Sequence, residues 1–375
     1  MRARVLAPAS RLAESVSLRL ITLRCLAILT LLAGVWSGAA PAQSQPPPPR
    51  VRLVATGGTI SNKEGGRLTA EELVKLMPAI GRYATPEYEQ FTNLSSSQLT
   101  LEQWVALSKR INDLLKTDAA LAGVVVTSGT DTLEELAYFL NLTVRSPKPV
   151  VVVGSMRNPS TLGYEGAANL QDAFRVAADP SARDRGAMVV LNDEINAARE
   201  VTKTDALRLN TFQTRGYGII GVVDSDRVVF YRKAEKRHTA ASEFDISTTT
   251  SLPRVDVILT YQGASGDLIK AAVDAGAKGI VMATAGAGAT SGTQFEGISY
   301  ALEKGVFVVT TTRTGSGRIA ARQRTGAPTG ADAQNPRQRA IAGEDLAPVK
   351  ARILLMLALA RTDDAAQIQR MFTEY

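Results

Sequence analysis

Val51-Arg52-Leu53-Val54-Ala55-Thr56-Gly57-Gly58-Thr59-Ile60 and Gly123-Val124-Val125-Val126-Thr127-Ser128-Gly129-Thr130-Asp131-Thr132 share one pattern, an apolar, β-branched run that ends in a turn rich in glycine and threonine. Short runs of this kind read as strands buried on both faces. Outward from them the chain alternates strand and helix. Val51–Ala55 is followed by helical spacing over Ala70–Met77, Gly123–Thr127 by Leu133–Leu140, and Val150–Val153 by Ala167–Ala178 and then the run Ala187–Asn192. Strands that alternate with helices predict an α/β fold, a mostly parallel sheet flanked by helices. Ligands of such sheets bind at the carboxyl ends of the strands, where both threonine turns lie.

A polar stretch from Tyr231 to Ser251, including Arg232-Lys233-Ala234-Glu235-Lys236-Arg237-His238, has no helical or strand period and reads as a connector. Beyond it the alternation resumes: strands at Val255–Thr260, Gly279–Ala283 and Val306–Thr310, helices at Leu268–Ala275 and Gly297–Glu303, and helical spacing over Ala347–Ala360 and Asp364–Phe372. The expected organisation is a larger N-terminal domain over 51–230, a linker over 231–252 and a smaller C-terminal α/β domain over 253–375.

The first 42 residues differ from the rest. Five arginines precede and flank the apolar run Leu26–Trp36, and Ala40-Pro41-Ala42 follows it. That run is too short to span a bilayer, and the small residues form a cleavage signal, so 1–42 reads as a secretory signal peptide. A mature chain beginning near Gln43, with a proline spacer over 43–50, would be periplasmic or secreted and would carry no membrane anchor. The segment holds five arginines and one glutamate, a net +4 of the formal +7, leaving +3 scattered over the remainder. No basic stretch is interleaved with aromatics, which argues against nucleic acid as a partner.

The inventory of reactive side chains is narrow. There is one histidine, His238, and one cysteine, Cys25, inside the expected signal peptide. Serine–histidine and cysteine–histidine catalysis lose their footing, and a His/Cys metal site cannot be assembled. The dinucleotide fingerprint and the P-loop are both absent, so the common nucleotide-binding motifs are not found. Threonine, lysine and carboxylate must then carry any chemistry. The turn Thr56-Gly57-Gly58-Thr59 lets the backbone approach a ligand, although its spacing alone fits a plain tight turn. Asp131 with Glu134, just ahead of Leu133–Leu140, reads as a capping box whose helix N-terminus also suits a carboxylate. Lys203 by itself reads as solvated, and gains a role only if folding sets its ammonium beside Thr130. His238, in the connector, reads as structural.

Together these segments resemble the bacterial-type L-asparaginase/glutaminase family, in its secreted, periplasmic branch. The resemblance runs from Val51 to the C-terminal stretch through Ala55–Ile60, Ser97-Gln98, Gly129–Glu135, Val153–Arg157, Val201–Thr204, Lys236–Thr239 and Ala360–Tyr375. It implies hydrolysis of L-asparagine to L-aspartate and ammonia without metal or cofactor, with glutaminase activity secondary. Carried over, Thr59 would be the nucleophile that forms an acyl-enzyme, and Thr130, Asp131 and Lys203 would form a second cluster that handles protons or activates water. Ser97, Gln98 and Asp131 would bind the α-carboxylate and α-amine, and Ser155 would line the amide pocket. The resemblance also implies a homotetramer of intimate dimers.

Some positions depart from the family pattern. The segment Ser61-Asn62-Lys63-Glu64-Gly65-Gly66-Arg67, where a mobile loop with a tyrosine is usual, is short and holds none. Ser128 replaces a common histidine, and Gly263 and the stretch Arg318–Arg324 stand where an asparagine and an acidic residue often lie. A non-catalytic periplasmic amino-acid-binding protein and an amidase of other specificity are the alternative readings.

Overall fold

The computed structural model describes residues 47–321 and 336–375. The signal-peptide reading of 1–42 and part of Arg318–Arg324 therefore lie outside the described residues.

The strand that ends in the first threonine turn, β1 (Arg50–Gly57), leads by way of two short strands, β2 (Asn62–Lys63) and β3 (Gly66–Arg67), into helix α1 (Ala70–Lys75). Next come β4 (Thr85–Leu94), α2 (Leu101–Thr117) and β5 (Leu121–Thr127), which ends in the second threonine turn. Helix α3 (Leu133–Thr143), β6 (Val150–Val153), α4 (Gly166–Ala178) and β7 (Ala187–Leu191) complete the parallel part. The chain then reverses through β8 (Glu194–Ala197), forms the small ladder β9 (Thr202–Lys203) with β10 (Phe212–Gln213), and closes the sheet with β11 (Gly221–Val223) and β12 (Val228–Phe230). The strand order is β12-β11-β8-β7-β6-β5-β1-β4. Pairing is parallel from β4 through β7 and antiparallel beyond.

This order decides where a site can form. From β1 the chain moves to β4 on one side, and from β5 it moves to β6 on the other. The carboxyl ends of β1 and β5 therefore flank the switch point, the one place where outgoing loops part and leave a crevice.

Alternation of side chains builds the core. Val124 and Val126 of β5 face α2 and α3 and join Trp104, Ile111, Leu136 and Leu140, whereas Val125 faces the opposite layer with Leu170 and Phe174 of α4. Capping boxes start α1 at Thr69, with Glu72, and α2 at Thr100, with Gln103.

The smaller sheet, β13 (Val255–Leu259), β14 (Gly279–Thr284), β15 (Phe307–Thr312) and β16 (Ala340–Ala342), is parallel throughout. Helices α5 (Asp267–Asp274) and α6 (Gln294–Glu303) cover one face, where Ile269 and Ala301 pack on Ile280 and Met282. Helices α7 (Pro348–Leu359) and α8 (Ala365–Glu374) cover the other. Apolar nearly all round, α7 lies between this sheet and α3 of the larger one, so Leu354 and Leu357 belong to the same contiguous core as Val126 and Val150. The two sheets share a helical layer.

The elements anticipated from periodicity form, with ends shifted by a few residues. The sequence reading passed over β4, the long helix α2, β16 and the antiparallel margin. The edge strand β4 carries Glu87 and Glu89, which pair with Arg50, Arg52 and Arg110, so its charges hide a strand that one neighbour and an ionic lattice hold in place.

Candidate active site

The ends of β1 and β5 are fastened by their own threonines. Thr56 Oγ1 donates to the Thr127 carbonyl at 2.6 Å, and the Thr56 N–H donates to Thr127 Oγ1 at 3.1 Å. Both side chains are fully buried, so these hydroxyls are spent on holding the strands. Immediately beyond, Gly57 and Gly58 take φ of +107° and +92°, a region that side chains disfavour. A Cβ on Gly58 would stand 2.2 Å from the Gly129 nitrogen. The two turns thus pack backbone against backbone, with Thr59 and Thr130 each one residue past the contact.

Thr59 opens a 3-10 turn, Thr59–Ser61, and is half-buried. Its hydroxyl has no hydrogen-bonding partner among the described residues, whereas the neighbouring Ser61 donates to the Gly58 carbonyl at 3.0 Å. Thr130, in contrast, is 5% exposed, and its hydroxyl oxygen has a partner. Lys203, on β9, donates from Nζ to Thr130 Oγ1 at 3.0 Å and to Asp131 Oδ1 at 2.9 Å. Since Thr130 Oγ1 accepts from the ammonium, its own proton is left to donate to a substrate or a water. An open depression of about 350 Å³ beside the cluster is lined by Asp131, Lys203, Thr204, Asp205 and Ala206.

The expected capping box is not formed. The N-cap of α3 is Thr132, without a side-chain cap bond, and both acidic residues are used elsewhere. Asp131 is held by Lys203, and Glu134 Oε1 accepts from Thr202 Oγ1 at 3.0 Å and from the Lys203 N–H at 3.1 Å. A tertiary demand overrides the local cap: one carboxylate ties the first turn of α3 to the strand that carries Lys203. Beneath it lies Lys350 of α7, 1% exposed, whose ammonium donates to the carbonyls of Ala198 (2.9 Å), Arg199 (3.1 Å) and Val201 and stands 3.8 Å from Glu134 Oε2. Burial pulls this lysine down to about 8, opposed by the carboxylate of Glu134. The smaller sheet's own helix thus supplies the cation that supports the second turn.

The remaining expected residues are distributed unevenly. Ser97 and Gln98 are exposed, and Gln98 Oε1 accepts from the Ser95 N–H at 3.4 Å. The serine against the second turn is Ser96: it is 4% exposed, its hydroxyl accepts from the Thr132 N–H at 3.4 Å, and a Cβ on Gly129 would meet its Oγ at 2.8 Å. Ser155 is buried and donates to the Arg157 carbonyl at 2.6 Å. Ser128 is buried and donates to the Gly129 carbonyl at 3.1 Å. His238 packs beside Gly186, at the opposite end of the sheet, with Nδ1 2.9 Å from Thr239 Oγ1, and burial lowers its basicity. Among the described residues no group of three or more His, Cys, Asp or Glu side chains forms a metal-binding set. Ser96 and Lys350 escaped the sequence reading, and Glu134 entered it only as a helix cap. For Lys350 a signal existed, a lysine in an otherwise apolar helix.

Comparison with known proteins covers both halves of the chain. Residues 50–236 match the model "Asparaginase, N-terminal" and residues 254–372 the model "Glutaminase/Asparaginase C-terminal domain". The chain is 41% identical to L-asparaginase 2 of Bacillus subtilis (strain 168) over 87% of each chain. It is 34% identical to the glutaminase-asparaginase of Pseudomonas fluorescens biotype A, over 92% of this chain and 96% of that one. A solved structure described as a probable cytoplasmic L-asparaginase from Campylobacter jejuni superposes with a TM-score of 0.77 at 38% identity, covering 88% of this chain and all of the other. With two fastened threonine turns at the switch point and both halves matched, the chain belongs to the asparaginase family of amidohydrolases.

Proposed function

We propose that the protein is an L-asparaginase that converts L-asparagine to L-aspartate and ammonia through a threonine acyl-enzyme. The observation that carries this reading is the contact of Lys203 Nζ with both Thr130 Oγ1 and Asp131 Oδ1, across a glycine–glycine packing from a second threonine whose hydroxyl is unpartnered among the described residues. In the first step the oxygen of Thr59 attacks the side-chain amide carbon. The Thr59 proton passes to the amide nitrogen, the C–N bond breaks, ammonia leaves and a β-aspartyl ester remains. In the second step water adds to the ester carbon, the bond from that carbon to Thr59 Oγ1 breaks, a proton from the water returns to Thr59, and aspartate leaves. The Lys203–Thr130–Asp131 cluster polarises the Thr130 hydroxyl for these transfers, because a threonine is a weak nucleophile without a positioned partner. Ser96, at the base of the crevice, with Ser97, Gln98 and Asp131 at its rim, faces the α-carboxylate and α-amine, and Ser155 backs the amide end.

Glutamine hydrolysis is a secondary activity in this reading, supported by the likeness to a relative named glutaminase-asparaginase. One methylene separates the two substrates, a difference worth about 1–3 kcal/mol in a pocket. In this reading the protein acts as a homotetramer of intimate dimers, periplasmic or secreted, after cleavage near Ala42. Ammonia release from L-asparagine and L-glutamine by the chain from Gln43 onward, with Thr59→Ala as the blank, tests the proposal. Release from asparagine that is lost in the blank supports it. Binding of both amides without release would identify an amino-acid-binding protein instead.

A further inference from the structure

The loop between β6 and α4, residues 156–165, is tied to itself more densely than a surface loop requires. The Glu165 carboxylate accepts the N–H groups of Met156 and Arg157 and so closes the two ends of the loop on each other. Arg157 Nη1 donates to the Gly163 carbonyl at 3.0 Å. Asn158 Oδ1 accepts from the Ser160 N–H and from Thr161 Oγ1, each at 3.0 Å. The tyrosine of the loop, Tyr164, lies over Gly166, where a Cβ would come 2.4 Å from its ring, and it packs on the core beneath α4.

From this platform two bonds reach the hairpin that follows Thr59. Tyr164 donates its hydroxyl to the Ile60 carbonyl at 2.7 Å, and Ser160 Oγ accepts from the Glu64 N–H at 2.8 Å. Ile60 is the residue after Thr59, inside the same 3-10 turn, and Glu64 is at the tip between β2 and β3. The hairpin is thus held at its root and at its tip by one loop. Its opposite flank has an exposed Lys63–Glu72 pair at 3.3 Å and a bond from Arg67 Nη2 to Ser95 Oγ at 3.1 Å.

We propose that Tyr164 is a positioning residue for Thr59, acting through the Ile60 carbonyl, and that the loop 156–165 is the latch that holds the short hairpin closed over the crevice. The proposal rests on Thr59 being the nucleophile. Burial, aided by the negative charge of Glu165, raises the phenol well above the usual tyrosine range, so it stays a donor at working pH. It therefore fixes the turn and is not a base. The hydroxyl of Thr59 has no partner among the described residues, so the aim of its oxygen depends on the turn that carries it, and an error of about 1 Å at a reacting atom can cost on the order of 10²-fold in rate.

Tyr164→Phe removes the bond and keeps the ring, so the packing on Gly166 and the core survives. Its expected signature is a kcat reduced about tenfold with KM changed less than about threefold, as befits lost alignment rather than lost binding. Amide hydrogen exchange over residues 60–67 should quicken in the same variant. Ser160→Ala should quicken exchange at the tip alone and lower kcat less. Tyr164→Leu, which also loses packing, reports the purely structural contribution through its melting temperature. Unchanged kcat with unchanged exchange in Tyr164→Phe would overturn the proposal, as would a loss confined to KM. If Thr59→Ala retained turnover, the nucleophile reading would fail by itself, and the exchange data would still decide whether Tyr164 holds the turn.

Discussion

Thr59 and Thr130 each follow a glycine at the end of a parallel strand, and the two glycines touch, yet the surroundings of the two hydroxyls are opposite in character. Around Thr130 the side chains form a closed frame: Lys203 on its oxygen, Glu134 on the backbone of Lys203, and Lys350 beneath both. Around Thr59 the frame is thin. The hydroxyl is unpartnered among the described residues, and the chain leaves at once into an exposed hairpin whose anchors are a few bonds to neighbouring loops. A group that must form and break a covalent bond needs access and freedom to meet the substrate. A group that passes protons repeatedly gains more from fixed distances in a site of low dielectric. The proposed division of labour, bond making at the first turn and proton handling at the second, follows this difference.

The contrast can be broken in order of expected effect. Thr59→Ala should lower kcat by about 10⁴-fold or more with the fold intact, measured by ammonia release and circular dichroism, as when a nucleophile is removed. Turnover near the wild-type rate would transfer the nucleophile to the second turn. Lys203→Met, which keeps the length of the side chain, should cost on the order of 10²–10⁴-fold in kcat, the range for general acid–base groups. Full activity would detach the second turn from the chemistry.

Lys350→Met sharpens the comparison from the structural side. It leaves Glu134 and three carbonyls without their cation, so denaturant unfolding at neutral pH should show a loss of about 3–5 kcal/mol. A loss under about 1 kcal/mol would mean that the frame beneath Thr130 carries little weight.

The smallest effect is a control remote from both threonines. Asp172 of α4 is buried, and desolvation, then its hydrogen bond to Asp193 and the charge of Asp193, push its carboxyl up to about 7 against the pull of Arg175. The folded chain keeps a proton that the unfolded chain releases near pH 4. The stability tied to this group is therefore present at low pH and drains away as pH rises from about 4 to about 7. Asp172→Asn should flatten that decline, by on the order of 1–3 kcal/mol in a series of melts against pH, with kcat unaltered. An unchanged slope would show that another group sets it.

Much of this frame was legible beforehand. The β-branched runs could only be strands covered on both sides, and the glycines that end them marked a close approach, which proved to be an approach to each other. Lys203 was legible only through resemblance, since nothing in Val201-Thr202-Lys203-Thr204 announces a partner 73 positions away. Where local rules were applied alone they misled: Asp131 and Glu134 have the spacing of a cap, but a lysine and a strand distant in sequence claim both carboxylates. The serine triplet shows another limit of local reading. Ser96 and Ser97 are alike in composition, and only the 3-10 turn Ser96–Gln98 decides which one points at Gly129. Lys350 was hidden by helical averaging, because one charge in an apolar helix scarcely alters its pattern.

The central claim, that the first turn carries the covalent bond and the second does not, is tested most directly by acid quenching the enzyme during turnover of L-asparagine and mapping the adduct by peptide mass spectrometry. The account predicts an aspartyl ester on the peptide that contains Thr59, lost in Thr59→Ala and enriched when deacylation is slowed in Lys203→Met. An ester on the peptide that contains Thr130 would contradict it.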